Sequence, residues 1–180
     1  MFQGFSSDGV QRDVQSWCYY KEMDPETALI RKRALAFLTG HKTGVLSTVS
    51  EEGNPQSRMV YYTADSDFNI YFLTLADTRK FGSLTSHPPV AFTVSNEGIP
   101  QTIQIEGVAM DITLDEAVSK KRDELFKILN SNPWFSAPTE KLGPGAQVVV
   151  WIKPTWIRWA DYAYAPEGPD RVYKIIPVQE

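Results

Sequence analysis

The sequence predicts a mainly β domain with helices at its connections. From residue 43 onward, short segments alternate apolar and polar side chains at the period of a strand. Turn residues separate these segments at close intervals. Aromatic residues are plentiful, with 5 Trp, 8 Tyr and 9 Phe, which suits a β-rich core and also a site for a flat ring. A run of short antiparallel strands closes into a barrel or a sandwich, and alternation alone does not choose between them.

In chain order, residues 1–23 are polar with scattered aromatics and read as an N-terminal arm, leaving 24–180 as a single domain. Asp24-Pro25-Glu26 is a helix start, with Asp as cap, Pro in the first turn and an acid beside it. Leu29, Ile30, Ala34, Phe37 and Leu38 recur at helical spacing until Gly40. TGVLSTVS (43–50) is a strand, and Glu51-Glu52-Gly53-Asn54 is a hairpin turn. PQSRMVYYTA (55–64) is the second strand, with Arg58, Val60 and Tyr62 on one face and Ser57, Met59 and Tyr61 on the other. NIYFLTL (69–75) is the third. DTRKFGSLTSHP (77–88) reads as a short helix capped by Asp77 and ended by Pro88. Strands follow at 90–95 and 99–113, then an amphipathic helix at 115–129 and a Pro/Gly-rich loop at 132–145. AQVVVWIK, TWIRWADYAY and RVYKIIPV read as three further strands.

Composition sets limits on function. The 180 residues suffice for one domain with a core. A net charge of -4 gives no global attraction to nucleic acid or an anionic membrane, so any phosphate site must be a local cluster of cations. The single cysteine, Cys18, excludes an intrachain disulfide, and two histidines offer no convincing metal centre. No apolar stretch approaches the ~20 residues that span a bilayer. The N-terminus lacks the cationic start and apolar run of a signal peptide, so the expected compartment is the cytoplasm.

Three groups of residues carry candidate chemistry. Asp77-Thr78-Arg79-Lys80 sets a hydroxyl and two cations at a strand-to-helix junction, where unpaired N–H groups also favour anions. Arg79 can grip a phosphate with two hydrogen bonds and Lys80 adds a point charge; the same residues also read as a solvated helix start. Arg58 lies mid-strand between apolar neighbours, either facing an anionic ligand or reaching out to water. Thr102, Gln104 and Glu106 share one face of a long strand, as a solvated face or as a polar wall against a heterocycle. His41 reads as a partner of a helix end, and His87 lies in a turn. Neither has a nucleophile in context, so hydrolase chemistry is not expected. Trp151, Trp156 and Trp159 could floor a ring or fill core.

The order of the pieces is more specific than any one of them. GVLSTVSEEGNPQSRMVYY, IYFLTLADTRK, SHPPVAFTV and QIEGVA, in that order, resemble the pyridoxamine 5′-phosphate oxidase-like family of FMN-binding split barrels, over about residues 25–113. The resemblance implies a six-stranded antiparallel split barrel with flanking helices. It also implies a homodimer with flavin mononucleotide (FMN) at the subunit interface. It assigns Arg58, Met59, Val60 and Tyr61 to the strand along the flavin and its phosphate, and Leu73 and Thr74 to the next strand. Thr78, Arg79 and Lys80 become the phosphate grip, and Thr102 or Gln104 reaches the ring across the dimer. The implied function is that of an FMN-dependent oxidoreductase of unassigned substrate and catalytic residues. A flavin-binding sensor, carrier or stress protein is the alternative, as is deazaflavin or haem in the same barrel.

Departures from the oxidase bear on substrate. Thr63 stands where the oxidase has lysine, and Thr102 where it has glutamine. Its C-terminal R-L-H-D-R motif falls on Arg158-Trp159-Ala160-Asp161-Tyr162, without the histidine and second arginine. A vitamin-B6 phosphate is therefore not the expected substrate.

Overall fold

The computed structural model describes residues 23–96, 98, 100–113, 119–130 and 147–178. Helix α1 spans Pro25–Gly40, with the Asp24 carboxylate accepting from the Thr27 N–H at 3.0 Å. It buries Ala34, Phe37 and Leu38 against the sheet. The strands are β1 (Thr43–Val49), β2 (Pro55–Tyr61), β3 (Thr63–Ala64), β4 (Ile70–Leu75), β5 (Pro89–Asn96), β6 (Gln101–Asp111), β7 (Gln147–Asp161) and β8 (Tyr173–Ile175). Helices α2 (Arg79–Ser86), α3 (Ser119–Asn130) and α4 (Pro169–Val172) lie between them, with a 3-10 turn at Tyr162–Glu167.

Every strand pair is antiparallel, in the order β2-β1-β5-β6-β7-β4-β3, with β8 added to β7. The first and last members of that order, β2 and β3, are one stretch of chain interrupted only at Tyr62. The sheet therefore begins and ends on the same segment and curls back on itself as a six-stranded split barrel. Its inner face carries the core: Leu46, Val60, Ile70, Phe72, Phe92, Val94, Ile103, Ile105, Val150, Ile152 and Ile157. A smaller apolar cluster joins Leu125 of α3 to Val149, Tyr71 and Leu73 on the outer side of β4 and β7.

Beyond shifts of one or two residues at element ends, four features differ from the sequence reading. The strand read across 55–64 divides at Tyr62. The α2 cap is Thr78 rather than Asp77. The two strands read at 146–153 and 155–164 are one 15-residue strand, β7. Pro154 does not end it, because the missing N–H is absorbed in a bulge: Glu106 faces Trp156 while Gly107 faces Pro154, leaving Thr155 as the extra residue. Gly107 permits this, since a Cβ there would lie 2.5 Å from the Lys153 carbonyl oxygen. The strand read at 171–178 is reduced to β8. The arm at 1–22 with Cys18, the start of the 115–129 helix and the 132–145 loop lie outside the described residues. Among the described residues, no helix is long and apolar enough to cross a membrane.

Gly44 tests the packing of the barrel wall. A Cβ at this position would sit 2.3 Å from the ring of Phe92, which is itself fully buried. Gly44→Ala is expected to cost about 1–3 kcal/mol through overpacking. The measurement is a lowered urea midpoint with an unchanged slope.

Candidate functional site

The site is built where β2, the end of β4 and the start of α2 meet. Alternation along β2 turns Gln56, Arg58 and Val60 inward and Ser57 and Met59 outward. Thr74, at the end of β4, also faces inward and is buried. Its hydroxyl lies 3.1 Å from that of Thr78. Thr78 Oγ1 donates to the Leu75 carbonyl at 2.8 Å and accepts the Phe81 N–H at 3.3 Å. The Thr78 hydroxyl is thus fully used in holding the junction between β4 and α2. It sets the helix start that presents Arg79 and Lys80.

Arg58, Arg79 and Lys80 converge. Burial and then the charge of Arg79 hold the Arg58 guanidinium below its ordinary value. Burial and then the charge of Arg58 pull the Lys80 ammonium down to about 8. Lys80 Nζ lies 5.5 Å from the centre of the Phe72 ring, and Arg79 is exposed. None of the ion pairs among the described residues involves these three cations. Arg58 Nη2 donates to Gln56 Oε1 at 2.5 Å, while Arg58 Nη1 is buried with no partner among the described residues. Three cations beside one another, one with an orphaned buried donor, fit a polyanionic group such as a phosphate.

The remaining sequence candidates are placed elsewhere. Val60 is core, and Leu73 packs under α3. Met59, Tyr61, Thr102 and Gln104 belong to the outer face of the sheet, away from Arg58. The Gln104 amide oxygen is held there by Arg158 Nη2, and the guanidinium lies against the rings of Tyr173 and Trp156. Trp159 is buried, edge-on to Phe37. His41 is occupied at both ring nitrogens, by the Phe37 carbonyl at 2.7 Å and by Asn96 at 3.3 Å. No cluster of metal-ligating side chains occurs among the described residues. Sequence reasoning passed over Gln56, whose amide oxygen holds Arg58. Polar residues on alternating strands look solvated until the barrel closes over them.

The model of the pyridoxamine 5′-phosphate oxidase family matches residues 30–159. The chain belongs to that family. Among curated proteins none matches it significantly. Solved structures share the fold. A Listeria innocua protein described, provisionally, as a pyridoxamine 5′-phosphate oxidase has TM-score 0.58 and 23% identity, over 72% of this chain and 97% of that one. The general stress protein 26 of Bacillus anthracis has TM-score 0.55 and 22% identity, over 72% and 92%. An FAD-binding protein of Mesorhizobium loti has TM-score 0.55 and 18% identity, over 70% and 88%.

The displaced Lys80 titration yields a pH prediction for the ligand-free protein. The folded chain releases this proton near pH 8, the unfolded chain near its ordinary 10.5. Between these values the unfolded state binds more protons, so stability rises with pH across the window. Lys80→Met lacks this contribution. It is expected to be more stable than the parent at pH 7, with the margin shrinking toward pH 10, as read by urea unfolding at each pH.

Proposed function

We propose that the chain is an FMN-binding flavoprotein that works as an oxidoreductase on a small molecule in the cytoplasm, as a homodimer. The observation that carries this is the cluster of Arg58, Arg79 and Lys80, which forms no ion pair among the described residues and leaves an Arg58 donor without a partner among them. In a flavin-binding family, such a cluster is suited to the flavin phosphate. Arg58 and Lys80 would neutralise it from within the barrel wall and Arg79 from the exposed side. A bound flavin supplies the hydride and electron chemistry, and the protein supplies binding, orientation and electrostatics. The Mesorhizobium loti protein, named as FAD-binding, supports a flavin as the ring system.

The dimer reading rests on the outer face. Residues in register across the sheet run Met59, Val45, Thr93, Gln104, Arg158 and Ile175. Of these, Met59 is 64% exposed, Val45 44% and Ile175 57%. An apolar row interrupted by polar groups suits a second copy of the chain. It would bring Thr102 and Gln104 of that copy toward the flavin.

The visible spectrum of the purified protein is the first test. Flavin bands in the blue and near ultraviolet are expected, or their appearance on adding FMN. A Soret band, or a colourless protein that takes up no FMN, overturns the reading. Arg79→Ala and Lys80→Ala should each weaken FMN binding by roughly 1.5–3 kcal/mol. Reduction of the bound flavin by NADH or NADPH separates an enzyme from a carrier. Met59→Glu places a charge in the apolar row and should shift the dimer toward monomer in sedimentation velocity.

A further inference from the structure

Thr48, Gln56 and Arg58 lie together on the barrel-facing side of β1 and β2. Thr48 and Gln56 are directly opposed in the ladder, and Arg58 is the next inward residue after Gln56. Opposed side chains of an antiparallel pair start about 5 Å apart. Each of the three has a buried polar atom without a partner among the described residues: Thr48 Oγ1, Gln56 Nε2 and Arg58 Nη1. Thr48 is only 3% exposed. Unmade hydrogen bonds on buried groups are costly, and three in adjacent positions of one ladder call for a common explanation.

The orientation of Gln56 narrows that explanation. Its oxygen is taken by Arg58 Nη2. Its amide N–H groups are left over, and amide nitrogen can only donate. The Thr48 hydroxyl can donate, and Arg58 can do nothing else. The unsatisfied set is therefore three donors beside the charges of Arg79 and Lys80. A partner that answers all three must bring several acceptor oxygens and negative charge. The terminal oxygens of a phosphate monoester have that chemistry; a neutral hydroxyl or amide does not.

We infer that Thr48 and Gln56 are phosphate-recognition residues, forming with Arg58 a hydrogen-bonding floor under the cations of α2. Gln56 has a second part to play, since its oxygen orients the Arg58 guanidinium. The inference rests on the phosphate role proposed above for Arg58, Arg79 and Lys80, and adds two uncharged residues that no charge-based reading would select. The floor answers only to the phosphate, so it distinguishes FMN from riboflavin.

FMN and riboflavin are titrated by flavin fluorescence, and inorganic phosphate by the shift in Tm of the ligand-free protein. The variants are Thr48→Val, which removes only the hydroxyl, Thr48→Ser, which keeps it, and Gln56→Glu, which replaces the donor with a carboxylate. Thr48→Val is expected to lose about tenfold in FMN affinity and Gln56→Glu on the order of a hundredfold. Thr48→Ser should retain FMN affinity, and riboflavin affinity should stay unchanged throughout. The phosphate-induced Tm shift should vanish in Thr48→Val and Gln56→Glu. The ligand-free Tm of Thr48→Val should rise, because an unpaired buried hydroxyl is gone. Parental FMN affinity in both Thr48→Val and Gln56→Glu, or equal losses for FMN and riboflavin, overturns the inference. If Gln56→Glu does not fold, the Thr48→Val and Thr48→Ser pair decides. If the parent takes up phosphate but not FMN, the flavin reading falls and the phosphate shifts of the variants judge the floor. If it binds neither, both fall.

Discussion

The turn of the chain at Tyr62 is the constraint on which the barrel depends. One segment must serve two neighbours, pairing with β1 before Tyr62 and with β4 after it. Tyr62 leaves the ladder to make this possible. Its N–H bonds to the Lys42 carbonyl at 3.1 Å, and its hydroxyl donates to the Leu38 carbonyl at 2.5 Å, near the end of α1. Its ring meets Phe92 edge-on, with centroids 5.0 Å apart. Burial pushes the phenol well above its ordinary range, so the proton stays in place as the donor. A fully buried side chain thus pins the crossing point to α1 on one side and to the core on the other. The site follows from that closure. Arg58 lies four residues before Tyr62, and Thr74 lies on β4. They share one end of the barrel only because the segment crosses between the sheet edges.

Two arginines show how differently this fold treats a partly dehydrated cation. Arg31 of α1 is 2% exposed and fully engaged. It donates to the Pro177 carbonyl at 3.2 Å and the Ser66 carbonyl at 3.0 Å, faces Asp67 at 3.7 Å and lies over the Phe68 ring. That arginine ties the helix to the β3–β4 turn and to the C-terminal segment. Arg58 is less buried yet worse satisfied, with one neutral acceptor and two cations for neighbours. Folding alone gains nothing from placing like charges together. Under the proposed function an entering anion would relieve that repulsion, each cation stabilising it without reorganisation. The difference between the two arginines, rather than the presence of either, is what supports the binding role proposed for Arg58.

Much of the fold was legible in the sequence because it rests on local signals. The Asp24-Pro25 start, the alternation of 70–75 and 101–111 and the glycine of the first hairpin turn all act within a few residues. The errors arose where a distant partner decides. Pro154 reads as a strand break, and only the glycine at 107 on the neighbouring strand turns it into a bulge. Asp77 and Thr78 are both good caps. Thr74, across the junction, favours Thr78 by supplying a second hydroxyl. The cations of the site were legible as residue types in order. Their convergence was not, because it depends on closure. Thr48 and Gln56 gave no signal at all: in a strand list they are ordinary polar residues, and their burial comes from neighbours elsewhere in the chain.

The same distinction separates cofactor from substrate. The segment that aligns with the oxidase's substrate motif, Arg158 to Tyr162, is here largely committed to structure. Trp159 and Ala160 are buried. Asp161 accepts from the Gln101 side chain at 2.8 Å and from the Ala163 N–H at 3.2 Å, so its carboxylate secures the turn that follows β7. Arg158, held by Gln104 and two aromatic rings, and the exposed Tyr162 turn outward. A substrate phosphate would find one cation there, already bonded, where the oxidase motif has a histidine and a second arginine as well. The cation cluster between β2 and α2 does not depend on this segment, since it shares no residue with it. The phosphate site proposed for those cations is therefore separable from the substrate end, and the loss of the histidine and second arginine argues against a vitamin-B6 phosphate as substrate.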